Sequence, residues 1–357
     1  MTRDKRLPEW VYRDCPTPSQ LHRNEATHRQ AQLTKPTGAL GRLETLAIDL
    51  AGLQATARPH AERAPIIVFA GDHGIAAQGV SAYPQEVTIA MMANFATGGA
   101  AISVLAREIG SCLEVIDAGS YAQAPIVGVL TDKPRCGARD FSQCAALTHD
   151  EVGFALAAGM RAVQRARADE PDLLILGEMG IGNTTSPAAI AAALMAVPAA
   201  TIAGNGTGLD AIGRARKAAI IDAALTRHAL RDPAPPAEMV LEAVGGLEIA
   251  ALCGAIISAA QAGLPVLVDG FIVSVAALAA TRLNPSCRPY LIFSHRSTEN
   301  GHRRVLDALD ARPLLDLDLR LGEGSGAALA LPLIRLACAL HNGMATFAEA
   351  AVPDRSS

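Results

Sequence analysis

The 357-residue sequence predicts an α/β protein: a doubly wound, mostly parallel, Rossmann-like sheet with a small helical domain drawn from the two chain ends. Three observations carry that expectation. From Ala64 onward, short apolar runs, turns containing Gly or Asp, and Ala-rich helical stretches follow one another in repeated order. Such alternation implies right-handed βαβ units on a parallel sheet. The apolar runs are apolar at consecutive positions, as strands covered on both faces are. The first 60 residues differ: they are charged, helical in pattern, and carry no strand-like run.

Taken in order, residues 19–33 and 40–54 have helical patterns. Strands are expected within 65–70, 112–116, 126–130, 172–176, 265–268 and 289–293. Helical stretches lie between them at 150–168, 209–230 and 247–261. A Gly-rich segment at 317–326 precedes a last helix over 327–347. The expected division is a large α/β domain over 61–315, with 1–60 and 316–357 forming the small helical domain. The clearest internal loop is 233–236, Pro-Ala-Pro-Pro.

Composition limits the alternatives. Hydrophobic residues make up 50 % and charged residues 18 %, and mean hydropathy is +0.24. A disordered chain shows the reverse balance, and a chain this long buries about three quarters of its unfolded surface. Aromatics are only 3 %, so the core is built from aliphatic side chains. A net charge of -4 offers no basic face for nucleic acid. The seven cysteines contain no C-x-x-C pair, which argues against a disulfide framework or zinc site and for a cytoplasmic location. Residues 1–13 are charged and lack the apolar core of a signal peptide. Residues 249–268 have the length of a bilayer span and no charge. Gly263-Leu-Pro265 interrupts them and Asp269 follows, so a buried helix and then a buried strand are expected, with no membrane span.

Ligands of open parallel sheets bind beyond the carboxyl ends of the strands. Four expected strands end in Gly with an acidic neighbour, Gly71-Asp-His-Gly, Asp117-Ala-Gly, Gly177-Glu and Asp269-Gly, and a fifth ends in the polar Ser294-His. The segment 177–185, Gly-Glu-Met-Gly-Ile-Gly-Asn-Thr-Thr, leads into an apolar helix, and a helix N-terminus is a natural phosphate seat. It has neither the Walker G-K-[ST] nor the G-x-G-x-x-G spacing; the alternative is a plain β–α turn. A second Gly-rich turn spans 204–208. Lys217, one of only four lysines, follows it on a helix, where it either reaches a phosphate or lies solvated beside Arg214 and Arg216. In 322–326, Gly-Glu-Gly-Ser-Gly, Glu323 is either a general base on a nearly bare loop or a helix-capping carboxylate. Asp72, His73, His295 and His302 have no metal-ligand spacing, and no G-x-S-x-G elbow supports acyl transfer. From the residues alone, the chain is an enzyme that binds a phosphorylated small molecule, with acid–base work by Glu323 or Glu178.

The blocks at 33–44, 71–88, 177–185, 206–210, 244–255, 267–272 and 320–334 together resemble the nicotinate-nucleotide–dimethylbenzimidazole phosphoribosyltransferase family of cobalamin nucleotide-loop assembly. They run in order along nearly the whole chain, and Gly-Glu-Met-Gly-Ile-Gly-Asn-Thr-Thr with Leu-Gly-Glu-Gly-Ser-Gly-Ala is a specific combination. The resemblance implies transfer of ribose 5-phosphate from nicotinate mononucleotide to 5,6-dimethylbenzimidazole, giving α-ribazole 5′-phosphate and nicotinate with inversion at C1′. The pyridinium leaving group departs neutral at its nitrogen, so only the nucleophile's N–H proton needs a base. By resemblance that base is Glu323, with Glu178 as helper. Phosphate and ribose fall to Gly180, Ile181, Gly182, Asn183, Thr184 and Lys217 of a nucleotide-binding large domain. The benzimidazole slot draws on Ser81, Tyr83, Met179 and Leu321. The resemblance implies no metal or other cofactor, and a homodimer. The chain departs from the family pattern at Thr37, Asn205 and between Thr298 and Asn300. Two further readings stand beside this one. A nucleotide-binding oxidoreductase would need the G-x-G-x-x-G spacing that is absent, and a non-catalytic nucleotide sensor would have no use for Glu323.

Overall fold

The computed structural model describes residues 7–204, 206, 208, 210–231 and 235–353. Asn205, Thr207 and Leu209 of the second Gly-rich segment, and Pro233 and Ala234 of the 233–236 loop, lie outside the described residues, as do residues 1–6 of the N-terminal stretch.

Six strands form one sheet: β1 (Ile66–Gly71), β2 (Leu113–Gly119), β3 (Leu130–Thr131), β4 (Leu174–Met179), β5 (Val266–Val268) and β6 (Leu291–Phe293). Their order is β3-β2-β1-β4-β5-β6, and every pair is parallel. The chain moves outward one way from β1 and then the other way from β4, which opens a crevice beyond the ends of those two strands. The helices are α1 (Gln20–Gln32), α2 (Arg42–Leu53), α3 (Glu86–Thr97), α4 (Ala101–Glu108), α5 (His149–Ala166), α6 (Thr185–Leu194), α7 (Ala211–Arg227), α8 (Ala237–Val244), α9 (Leu247–Gln261), α10 (Phe271–Leu283), α11 (His302–Ala308) and α12 (Ser325–Gly343).

Successive strand residues face opposite sides, and both sides are covered. Ile67, Phe69, Ile116, Leu174, Leu176 and Val268 pack with α5, α6, α9 and α10 in one core. Ile66, Val68, Val115, Ile175 and Leu267 join Leu46 and Leu50 of α2 and Leu331 and Ile334 of α12 in the other. Each such buried aliphatic side chain contributes roughly 1.5–3 kcal/mol. The chain ends are clasped. Arg29 donates to the carbonyls of His341, Asn342 and Met344, Lys35 pairs with the buried Glu44 at 2.8 Å, and Leu33 bridges Thr346.

Two local expectations change. Residues 126–130 are a turn rather than a strand until their last residue: Val129 N–H donates to Ile126 O at 3.0 Å and Gly128 has φ 79°. Val127 points into solvent, so the apolar run never enters the core. The last helix begins at Ser325, which sets Glu323 immediately before its first turn. The 249–268 stretch is the buried α9 followed by β5, as expected. Among the described residues only Glu86–Glu108 has the length and apolarity to cross a membrane. It is broken at Gly98, φ 90°, into α3 and α4.

Candidate active site

Glu178 is the second-last residue of β4 and is buried at the crevice. The residue before it is Gly177, and the backbone of Glu323 lies directly on that bare position. The Glu323 N–H donates to Glu178 O at 3.3 Å. Glu323 itself sits at φ 65°, between Gly322 at 89° and Gly324 at 85°. A non-glycine residue held there stores of the order of 1–3 kcal/mol of strain, which the surroundings must impose. Asp269, just past β5, is what imposes it: its carboxylate accepts from Gly324 N–H at 3.2 Å and Ala327 N–H at 2.9 Å. The first turn of α12 thereby gains an acidic partner, as helix N-termini favour.

The two carboxyls are electrostatically unusual. Burial pushes Glu178 up to about 8, with Asp269, Glu248 and Glu323 adding like charge; the Asn183 amide, which donates to its Oε2, opposes them. Burial also raises Glu323, against one backbone N–H from Ile102 at 3.4 Å. Glu178 is therefore protonated at neutral pH, and the neighbouring pair carries at most one charge.

Beyond β4 the loop over residues 180–184 delivers the N-terminus of α6, all of whose residues are buried. Ile181 N–H donates to Thr88 Oγ1 at 3.0 Å, and that hydroxyl donates to Asp72 Oδ1 at 2.6 Å. The loop is thus tied to α3 and to the end of β1. Lys217 on α7 is fully buried, so the solvated-helix reading does not hold; its ammonium donates to Thr184 Oγ1 at 2.7 Å. Burial lowers it to about 8, while Glu299 favours its charge.

Beside these groups lies a cavity of about 430 Å³. Its lining combines the apolar side chains Tyr83, Val87, Met91, Met179 and Leu321, the carboxyls of Glu178 and Glu323, and polar groups near Lys217, Thr184 and Glu299, with Gly206 and Arg320. Gly180, Ile181 and Asn183 also line it. Of the residues expected from sequence, three do not. Ser81 accepts from Tyr83 N–H at 3.3 Å and shapes the turn that presents Tyr83. Gly182, at φ 84°, bends the loop beside Ala76. Lys217 stands behind Thr184. Sequence reasoning missed Val87 and Met91, although their i, i+4 spacing puts them on one face of a helix. It also missed Phe271, Ile272, Ser297, Glu299 and Arg320. His295 was singled out by its place at a strand end, and otherwise only as a possible metal ligand. His73 instead pairs with the buried Glu248 at 2.6 Å, and His302 is bonded to Ser274 and to Ser297 N–H. Among the described residues no three His, Cys, Asp or Glu side chains are grouped to hold a metal.

A purely structural fold has no use for carboxyls buried against a ligand-sized cavity with raised pKa values, and such groups mark functional sites. Fold and cavity together define a Rossmann-like α/β enzyme with two buried carboxyls at the switch point of its sheet. The sequence matches a family profile described as phosphoribosyltransferase over residues 15–352. It is 70 % identical, over 98 % of its length and 99 % of the relative's, to a nicotinate-nucleotide–dimethylbenzimidazole phosphoribosyltransferase of Bradyrhizobium diazoefficiens. Identity to the protein of that name from Pseudomonas aeruginosa is 56 %, over 97 % and 99 %. The crystal structure of the Thermus thermophilus enzyme superposes with a TM-score of 0.89 at 43 % identity, covering 94 % of this chain and 100 % of that one. The chain belongs to the nicotinate-nucleotide–dimethylbenzimidazole phosphoribosyltransferase family.

Proposed function

We propose that the protein transfers ribose 5-phosphate from nicotinate mononucleotide to 5,6-dimethylbenzimidazole in the cytoplasm, as a homodimer. The observation that carries the reaction is the pair Glu178–Glu323, set between an apolar slot and a helix N-terminus backed by a buried lysine. The flat base packs among the apolar side chains Tyr83, Met179 and Leu321. The phosphate rests on the 180–184 backbone, with Lys217 as counter-charge through and beside Thr184.

In-line attack by the benzimidazole nitrogen on C1′ expels nicotinate with inversion. As the new bond forms, the second ring nitrogen becomes acidic, and Glu323 takes its proton. A raised carboxyl is a stronger base than a free one, and a pKa nearer the working pH suits general-base catalysis. Glu178, neutral at pH 7, donates a hydrogen bond and leaves the negative charge to Glu323. Pushing the pKa values of two neighbouring acids apart is how one site divides such roles. The homodimer reading draws on the apolar side chains Val104, Leu329 and Leu336, which α4 and α12 leave exposed; light scattering on the purified protein measures it.

The test is a metal-free incubation with both substrates, following nicotinate and the new nucleotide by chromatography. Product with α configuration is expected. Glu323→Gln is expected to lose about 10²–10⁴-fold in kcat, the usual contribution of a general base, while still binding nicotinate mononucleotide. Unchanged turnover in that variant removes Glu323 from its role; no product from the unaltered protein refutes the reaction.

A further inference from the structure

We infer that His295 reads a ribose hydroxyl of the donor nucleotide through its Nε2 atom; this rests on the phosphoribosyl-transfer reading of the same cavity. The side chain follows β6, is buried, and lines the cavity wall together with Gly270, Ser297 and Glu299. Its ring is wedged between bare backbone positions: a Cβ on Gly326 would stand 2.0 Å from Nδ1, and one on Gly270 would stand 3.4 Å from Nε2. Both glycines leave the room that the ring occupies.

The hydrogen bonds fix its tautomer. Ser294 Oγ lies 3.3 Å from Asp269 O and 3.0 Å from His295 Nδ1. The carbonyl can only accept, so the hydroxyl gives its hydrogen there and accepts from Nδ1–H. Asp269 Oδ1, 3.8 Å from Nδ1, favours the same proton position. Nε2 is left as a lone-pair acceptor. It has no hydrogen-bond partner among the described residues, yet it is absent from the buried, unpartnered side-chain atoms, so it is open to the cavity. Burial holds the imidazole below its ordinary pKa, which keeps it neutral.

The position on the wall selects the ligand group. Asp269, beside this ring, anchors the Glu323 loop, and Glu299 on the same wall faces Lys217. His295 shares the cavity lining with Glu323 and with Glu299, so a sugar joining a phosphate near Lys217 to a reacting carbon near Glu323 lies in the same cavity as its ring. A sugar hydroxyl donates to a neutral imidazole nitrogen; a carboxylate or phosphate has no hydrogen to give it.

The test compares nicotinate mononucleotide with its 2′-deoxy and 3′-deoxy analogues, by kcat/KM and by calorimetric binding, in the wild type, His295→Asn and His295→Gln. Asn keeps an amide near Nδ1 and removes Nε2; Gln places a polar atom near Nε2. The wild type is expected to disfavour one deoxy donor by about 10- to 100-fold, the scale of one buried hydrogen bond left unmade. His295→Asn is expected to bring that ratio to within about threefold of unity, and His295→Gln to restore part of it. A wild type that does not distinguish either analogue, or a His295→Asn protein that keeps the full ratio, overturns the inference. If the wild type binds the donor but releases no nicotinate, the transfer reading falls while the calorimetric ratios still decide the role of His295.

Discussion

Replacing Gly177 with alanine puts the seating of the Glu323 loop under direct strain. The added Cβ would lie 2.4 Å from Glu323 O, 2.5 Å from Glu323 C and 2.6 Å from Gly324 N. All three are backbone atoms, so no side chain can rotate out of the way. Ordinary contact begins at 3.4 Å, and the loop must therefore retreat from β4 by about 1 Å, a displacement that costs a catalytic group about 10²-fold in rate. Retreat also pulls against the Asp269 bonds to Gly324 and Ala327, and overpacking of this kind costs roughly 1–3 kcal/mol of stability. The assay is kcat at saturating levels of both substrates, with calorimetric Kd for nicotinate mononucleotide and a thermal melt. Expected are a kcat about 100-fold down, a donor Kd within about threefold of wild type because the 180–184 loop is not displaced, and a Tm a few degrees lower. Gly110→Ala serves as a control: φ there is also positive, at 64°, but nothing lies within 4 Å, so it should lose stability without losing kcat. A folded Gly177→Ala protein with kcat within threefold of wild type would refute the argument that the Glu323 backbone rests on that glycine.

Other expectations follow from the same geometry. Lys217→Ala should raise the KM for nicotinate mononucleotide at least tenfold with little change in kcat; an unchanged KM would show that the buried ammonium does not serve the phosphate. Glu178 rises on folding from its ordinary 4.5 to about 8. Its contribution to stability is then full below about 4.5 and is lost as pH rises through 8, because the folded protein holds a proton the unfolded chain gives up. Glu178→Gln should accordingly gain stability over wild type as pH goes from 5 to 9 in urea melts, and a gap that does not change with pH would sink that assignment. Leu331→Ala on α12, fully buried against the sheet, should cost about 2–5 kcal/mol, measured as a shift in the urea midpoint.

Much of this was legible in the sequence, for identifiable reasons. Strands buried on both faces leave continuous aliphatic runs, and five of the six expected runs lie in the sheet. The run at 126–130 misled because apolar composition does not encode burial; a turn closed by Val129 and Gly128 leaves Val127 outside. Glu178 and Glu323 were visible because acids flanked by glycines at strand and helix ends are conspicuous chemistry. The opposite wall was legible only in part: Asp269-Gly and Ser294-His stood out as strand ends, but Glu299 did not, because it reaches the cavity through the packing of β5 and β6 beside β4 rather than through any local pattern. The tie from Asp72 through Thr88 to Ile181 was hidden for the same reason, since its three members come from separate segments.

The clasp between the two chain ends also sets an order of events during synthesis. α12 both covers one face of the sheet and follows directly on the loop that carries Glu323, and it leaves the ribosome after every strand of the sheet. Until it emerges, Val68, Ile175 and Leu267 lack the Leu331 and Ile334 side chains that share their core. A nascent chain can assemble the β1–β6 sheet and its α5–α10 layer, but it holds an exposed apolar face and lacks the Glu323 loop. Termination near residue 320 would therefore leave a sticky protein without the Glu323 loop, so that the loop and protection from aggregation arrive together with α12.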